Sequence, residues 1–244
     1  YFDYLARLDD LVLLMDEAHR YRATAGSRAI NELKPIVGLE LTATPLNFKN
    51  VLYSYGLGDA MADGFVKEPA GATRENFRAA DYANDQPGTS GLTRLEEVKL
   101  EDGVHHHEHV KVHLDLYARR TQRKRVHPFM LVVAESIKHA ADIKAFVGAE
   151  RFFKGRYAGK VIEVHSGSAA AIREVSERRL LALEHDDATE IVVHVNQLNE
   201  GWDVTNLYTI VPLRAFAASI LTEQTLGRGL RLPYGERTGD AAVD

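Results

Sequence analysis

The chain of 244 residues contains no cysteine. That excludes a disulfide framework and any thiolate metal site, and it suits a reducing, cytoplasmic setting. Long hydrophobic runs are also missing. The longest, such as Phe129-Met130-Leu131-Val132-Val133-Ala134, fall far short of the roughly 20 residues that span a membrane. The first residues, Tyr1-Phe2-Asp3-Tyr4, have neither the basic start nor the apolar middle of a signal peptide. An excess of positive charge is lacking as well: 30 Lys and Arg stand against 35 Asp and Glu, a net charge of −5. A module that holds nucleic acid by electrostatics alone is basic, so that class is disfavoured, whereas a machine gripping a backbone in one local groove is not. No Gly-x-x-x-x-Gly-Lys-Ser/Thr phosphate loop occurs. Gly155-Arg156-Tyr157-Ala158-Gly159-Lys160-Val161 has the wrong spacing and puts a valine where that loop needs a hydroxyl.

What is present is a regular alternation. Hydrophobic residues make up 45% of the chain, enough for one large or two modest cores. Leu11-Val12-Leu13-Leu14-Met15 reads as a buried strand ending in Asp16-Glu17, and residues 37–41 as a second ending in Thr42-Ala43-Thr44-Pro45. Residues 55–125 are broken by glycines and read as helices plus a connector or inserted subdomain. From residue 126 the spacing predicts strands at 129–134, 160–165, 190–195 and 207–211, with helices at 136–153, 169–184 and 216–227. Strands alternating with helices of this length imply an α/β fold of parallel sheets with crossover helices. The expected division is 1–54, 55–125, 126–235 and a tail at 236–244.

Four clusters can carry chemistry. Asp16 and Glu17 at a strand end can divide the labour of phosphoryl transfer, Asp16 holding Mg²⁺ and Glu17 orienting water, with His19 sensing the nucleotide; an acidic helix cap is the plainer reading. Thr42 and Thr44 form a hydroxyl-rich turn about 25 residues later. Asn199-Glu200-Gly201-Trp202-Asp203 comes after the 190–195 strand: Gly201 permits close backbone approach and Asp203 can accept from a ribose or an arginine, with a structural loop as the alternative. In Thr222-Glu223-Gln224-Thr225-Leu226-Gly227-Arg228-Gly229-Leu230-Arg231, helical spacing puts Gln224, Arg228 and Arg231 on one face. Two guanidiniums there suit a triphosphate, and the two glycines suit close docking against another lobe.

The order Asp-Glu-Ala-His, Thr-Ala-Thr, Glu-Gly-Trp-Asp and Gln-x-x-Gly-Arg-x-x-Arg resembles motifs two, three, five and six of superfamily-two helicases. The stretch 198–234 is similar to the Res subunit of type III restriction enzymes. The resemblance covers most of 1–50 and 126–235. It implies two RecA-like lobes, an incomplete first and a largely complete second, with ATP and Mg²⁺ in the cleft. Asp16, Glu17 and His19 would serve catalysis, with Asp16 as the metal ligand. Thr42 and Thr44 would couple nucleotide state to DNA, and Gln224, Gly201 and Asp203 would contact nucleotide. Arg228 and Arg231 would be arginine fingers across the cleft. The family also implies DNA as partner, a methyltransferase or specificity subunit, and a separate nuclease domain. The absent phosphate loop is then expected upstream of Tyr1, the chain being a fragment that is inactive by itself. A general DNA-repair or RNA helicase, and a nucleotide-independent binding or assembly module, are the alternatives.

Three further features remain. Arg119, Arg120, Arg123, Lys124 and Arg125 form the densest basic run, which can track phosphates or be a solvated face. His105-His106-His107, His109 and His113 are the oddest composition. His109 and His113 have the helical spacing to share a metal, whereas residues 110–114 alternate like a strand; a surface segment is the expectation. Glu97-Val98-Lys99 matches half of a metal-nuclease pattern but lacks the preceding Pro-Asp, so no nuclease is expected from it.

Overall fold

The computed structural model describes all residues except 19–20, 22–23, 44–49, 165–177, 181, 186–187, 196–203 and 214–224. The chain divides into two compact units, Tyr1–Ser54 and Tyr55–Asp244. Unit 1 opens with α1 (Phe2–Leu5), then β1 (Val12–Met15), α2 (Thr24–Glu32) and β2 (Val37–Glu40). β1 and β2 are parallel, in register from Val12 opposite Val37 to Met15 opposite Glu40. A parallel pair cannot be joined by a hairpin, and α2 is the crossover.

In unit 2, α3 (Leu57–Ala62) and a 3-10 turn (Ala79–Tyr82) precede the long helix α4 (Arg94–Thr121). β3 (Phe129–Ala134), α5 (Ile137–Gly148), β4 (Val161–Val164), β5 (Ile191–Val195) and β6 (Leu207–Pro212) come after it. The four strands form one sheet in the order β4-β5-β3-β6, with every pairing parallel. This is the α/β architecture expected from the alternation, and each expected strand is found within a residue or two. The continuous apolar runs arise because both faces of a parallel sheet are buried. Met130, Val132 and Ala134 face a core with Leu100 and Val104 of α4 and Ile143 and Val147 of α5. Phe129 and Leu131 face the opposite core with Leu180, Leu183 and Val204. The expected helix at 169–184 lies mostly outside the described residues, as does the start of the one at 216–227.

The 55–125 stretch holds helices, as its composition led one to expect. Residues 94–121 are one helix of 28 residues, and α4 belongs to the same compact unit as the sheet it covers. Thr93 caps it: its hydroxyl accepts from Glu96 N at 3.3 Å, and the Glu96 carboxylate accepts from Thr93 N at 2.8 Å. Gln122, at φ 58°, ends it in the left-handed conformation. The strand-like alternation of 110–114 is therefore not realised. The helix turns Val110 and Leu114 inward to meet Tyr117 and Val243, and leaves Val112 exposed. The final residues are folded onto the unit: the Tyr208 hydroxyl donates to Val243 O at 2.9 Å.

Gly103 sets how closely α4 approaches the sheet. A Cβ there would lie 2.4 Å from Val211 Cγ2 and 3.1 Å from Met130 Sδ, both deep in the core. Alanine gains about 1 kcal/mol over glycine in a helix interior, whereas overpacking a closed core costs about 1–3 kcal/mol. Gly103→Ala is therefore expected to lower unfolding free energy in urea titrations. Gly148→Ala, whose methyl would meet nothing within 4 Å, should leave it unchanged or raise it. Equal behaviour of the two variants would refute the close contact.

Candidate functional site

In unit 1 the chain leaves β1 at Met15 and turns sharply. Asp16 Oδ1 accepts from Glu17 N at 2.9 Å, and Glu17 takes φ 51°, a left-handed conformation that costs a non-glycine residue on the order of 1 kcal/mol. Asp16 is exposed, Glu17 half-buried and Ala18 fully buried. Two backbone bonds extend the strand pairing into this turn: Leu41 N donates to Met15 O at 2.8 Å, and Ala18 N donates to Leu41 O at 3.1 Å. Thr42 is the next residue after Leu41. The acidic pair and the first hydroxyl of the Thr-Ala-Thr turn thus sit at the carboxyl ends of adjacent parallel strands, where open α/β sheets bind ligands. An exposed carboxylate with hard oxygen donors fits Mg²⁺ held partly through water. His19 and Thr44 lie outside the described residues, as do Gly201, Asp203 and Gln224.

In unit 2, residues 225–229 are helical and Arg228 is half-buried within that turn. Arg231 lies beyond its end, also half-buried, so the step from Arg228 to Arg231 is not a helical one. Gly229 serves packing within its own unit: a Cβ there would come 3.2 Å from Ile210 Cδ1 and 3.8 Å from Leu207 Cγ. Gly227 meets nothing within 4 Å.

The residue that sequence reasoning missed is Lys67. It is 5% exposed, and its backbone N–H donates to Leu230 O at 2.7 Å, between the two arginines of the motif. Its Nζ donates to Leu207 O at 2.8 Å and sits 3.7 Å from the centre of the Tyr208 ring. No local pattern marks it, because its partners are about 140 residues away in sequence.

The four arginines of the basic run pair with carboxylates of their own unit. Arg119 and Arg125 pair with Asp115 at 2.8 and 3.2 Å, Arg120 with Asp240 at 2.6 Å, and Arg123 with Glu236 at 2.8 Å. Lys124 offers its carbonyl to the Tyr234 hydroxyl at 3.0 Å. Glu97 and Lys99 have structural partners too: Glu97 accepts from Ser90 Oγ at 2.8 Å and Lys99 Nζ donates to Pro212 O at 3.3 Å.

A second charged cluster lies where α4 crosses the start of β5. Glu190 accepts from Lys111 and Lys160, each at 2.5 Å, and lies 3.5 Å from His107 Nε2. Glu108 is bound by Arg156 at 2.7 Å, Lys111 at 3.1 Å and the Tyr157 hydroxyl at 2.5 Å. Burial pushes the Glu190 carboxyl upward, but hydrogen bonds from His107, Lys111 and Lys160 outweigh it and hold the group well below the usual carboxylate range. His107, Glu108 and Glu190 bring three potential ligand atoms within 4.8 Å of one another.

Burial draws the Lys67 ammonium down to about 7. An unfolded lysine titrates at about 10.4, so between those values the unfolded chain holds a proton that the folded chain has released. Stability contributed by this site therefore rises with pH from about 7 upward, by at most about 1.4 kcal/mol per pH unit. Urea denaturation at pH 7 and pH 9.5 should show that rise, and Lys67→Met should flatten it. An identical pH slope in the variant would mean that Lys67 stays charged throughout.

Comparison with curated proteins gives no match. A family model described as "Type III restriction enzyme, res subunit" matches residues 3–47. The match contains both strands of unit 1, the Asp16-Glu17 pair and Thr42. Residues 3–47, with their parallel α/β arrangement, are thus similar to this family of helicase-related proteins, over less than a fifth of the chain.

Proposed function

We propose that the chain is the motor portion of an ATP-dependent DNA translocase of a type III restriction system, working in the cytoplasm. The observation that carries the reading is the bond from Ala18 N to Leu41 O, which fixes Asp16-Glu17 and Thr42 side by side at two strand ends. Magnesium, when bound with ATP, neutralises charge on the phosphate oxygens. Asp16 would hold that ion. Glu17, half-buried beside it, orients the attacking water and accepts its proton. Thr42 and Thr44 relay the nucleotide state to DNA, and His19 senses it. Gly201, Asp203 and Gln224 contact the nucleotide. Arg228 and Arg231 act as arginine fingers on the transferring phosphate, and the Lys67 N–H to Leu230 O bond fixes the backbone between them. The phosphate-binding loop is supplied outside these 244 residues, and a nuclease domain and a methyltransferase partner complete the restriction activity.

The test is ATP hydrolysis stimulated by DNA, measured in the full-length protein. Glu17→Gln should lower kcat by about 10²–10⁴-fold while leaving ATP affinity nearly unchanged. Arg228→Ala should lower it by about 10³–10⁵-fold. The purified 244-residue chain should not turn over ATP. Parental turnover in folded Glu17→Gln and Arg228→Ala proteins would remove the assignment, as would a DNA-stimulated activity of the short chain abolished by Glu17→Gln.

A further inference from the structure

Helix α4 carries five of the chain's 11 histidines, and the helix sorts them by face. His107 points into the core with no exposure. His105 lies edge-on to the Phe153 ring, centroids 5.0 Å apart. His106, His109 and His113 are spaced three and then four apart, so they share the outward side of the helix. The rings of His109 and His113 stand at 77° to each other with centroids 4.4 Å apart, and their Nε2 atoms are 2.8 Å apart.

Two neutral imidazoles in this pose make one weakly constrained hydrogen bond, and only if their tautomers differ. The same two atoms, each offering a lone pair, are spaced as neighbouring ligands of one ion. Imidazole nitrogens bind transition metals at about 2.0–2.1 Å, so adjacent positions of a tetragonal or octahedral ion lie about 2.9 Å apart. The helix backbone already holds the pair at that separation, so little rearrangement is needed to bind. We propose that His109 and His113 form a surface chelate for a divalent transition-metal ion through their Nε2 atoms. Cu²⁺ binds most tightly, Ni²⁺ and Zn²⁺ less so, and Mg²⁺ and Ca²⁺ are rejected because neutral nitrogen donors do not suit hard cations. Water fills the remaining positions.

The charge around the pair is permissive. Asp240, on the folded-back terminal segment, interacts electrostatically with His113, and Arg120 already neutralises part of that carboxylate at 2.6 Å. His106 lies one turn before His109 on the same face and is the nearest candidate for a third nitrogen. The inner group of His107, Glu108 and Glu190 is a poorer host despite its close ligand atoms. Its two carboxylates are already bound by Lys111, Lys160 and Arg156, so a divalent ion would add to an excess of positive charge.

The experiment uses the purified 244-residue chain, stripped with chelator and titrated with Cu²⁺, Ni²⁺ and Zn²⁺ by calorimetry. Electron paramagnetic resonance of the Cu²⁺ form counts nitrogen donors. The expected result is one ion per chain, at least two imidazole nitrogens in the Cu²⁺ spectrum, and a melting temperature that rises with the ion. Loss of groups that merely support a ligand weakens binding about 10–100-fold, so His109→Ala and His113→Ala should each weaken it by at least about tenfold. Both should also abolish the melting shift. Alanine at these solvent-facing helical positions keeps the fold, and His105→Ala serves as the control with unchanged affinity. Undiminished Cu²⁺ binding in either His109→Ala or His113→Ala overturns the proposal. Loss of binding in Glu190→Gln with retention in His109→Ala would overturn it too, by placing the ion in the inner cluster.

Discussion

The parallel pairing of β1 with β2 is the constraint on which the candidate site depends. Parallel strands deliver their carboxyl ends to the same side of the sheet, so the residues just past one strand become neighbours of the residues just past the other. Here those residues are Asp16-Glu17 and Thr42. The pairing does not stop at the last strand residues: Leu41 reaches both Met15 O and Ala18 N, and so clamps the turn that carries the carboxylates. The positive φ at Glu17 is held by that clamp. A slip of one residue in the register would separate the two motifs and turn each strand's side chains to the other face.

The same constraint governs unit 2 at larger scale. Four parallel strands need cover on both faces, and the chain supplies it with α4 and α5 on one side and Leu180, Leu183 and Val204 on the other. Unit 1, with two strands, leaves Val12 at 58%, Leu14 at 68% and Val37 at 55% exposure, which is unusual for a strand pair of this kind. Its aliphatic faces are suited to further packing layers.

Helix α4 joins the parts of unit 2 by giving each of its faces a separate task. One face, made close by Gly103, seals the sheet. Another, through Leu114 and Tyr117, receives Val243 of the terminal segment. Its basic end binds that segment again through Arg120 and Arg123. The arginine run that looks like a phosphate track in one dimension is therefore drawn into carboxylate pairs in three. Such exposed pairs add little stability individually, and their effect is to orient the segment. Lys67 acts in the same way from the opposite part of the sequence, tying residue 230 to the start of β6.

The strands of unit 2 were legible because a parallel sheet buried on both faces demands unbroken apolar runs such as the one that ends before Glu135; the shorter runs before Asp16 and Thr42 marked β1 and β2 by composition alone, since that pair leaves apolar side chains exposed. The motifs were legible because their residue types and order carry the resemblance without any coordinates. Residues 94–121 were not, since glycine, five histidines and many charges blur the apolar periodicity; the Thr93-x-x-Glu96 capping box was the one local sign of a helix start. By itself the sequence determined the α/β class and the strand positions, which arise from local pattern and composition. Only the tertiary structure decided that Gly229 packs on its own sheet, that Lys67 N–H bonds to Leu230 O, that the four arginines of the basic run pair with Asp115, Asp240 and Glu236, and that His107 turns inward while His109 and His113 meet outside. Those outcomes depend on contacts between segments far apart in the chain, or on which side of a helix faces the core, and neither is set by a residue's neighbours in sequence.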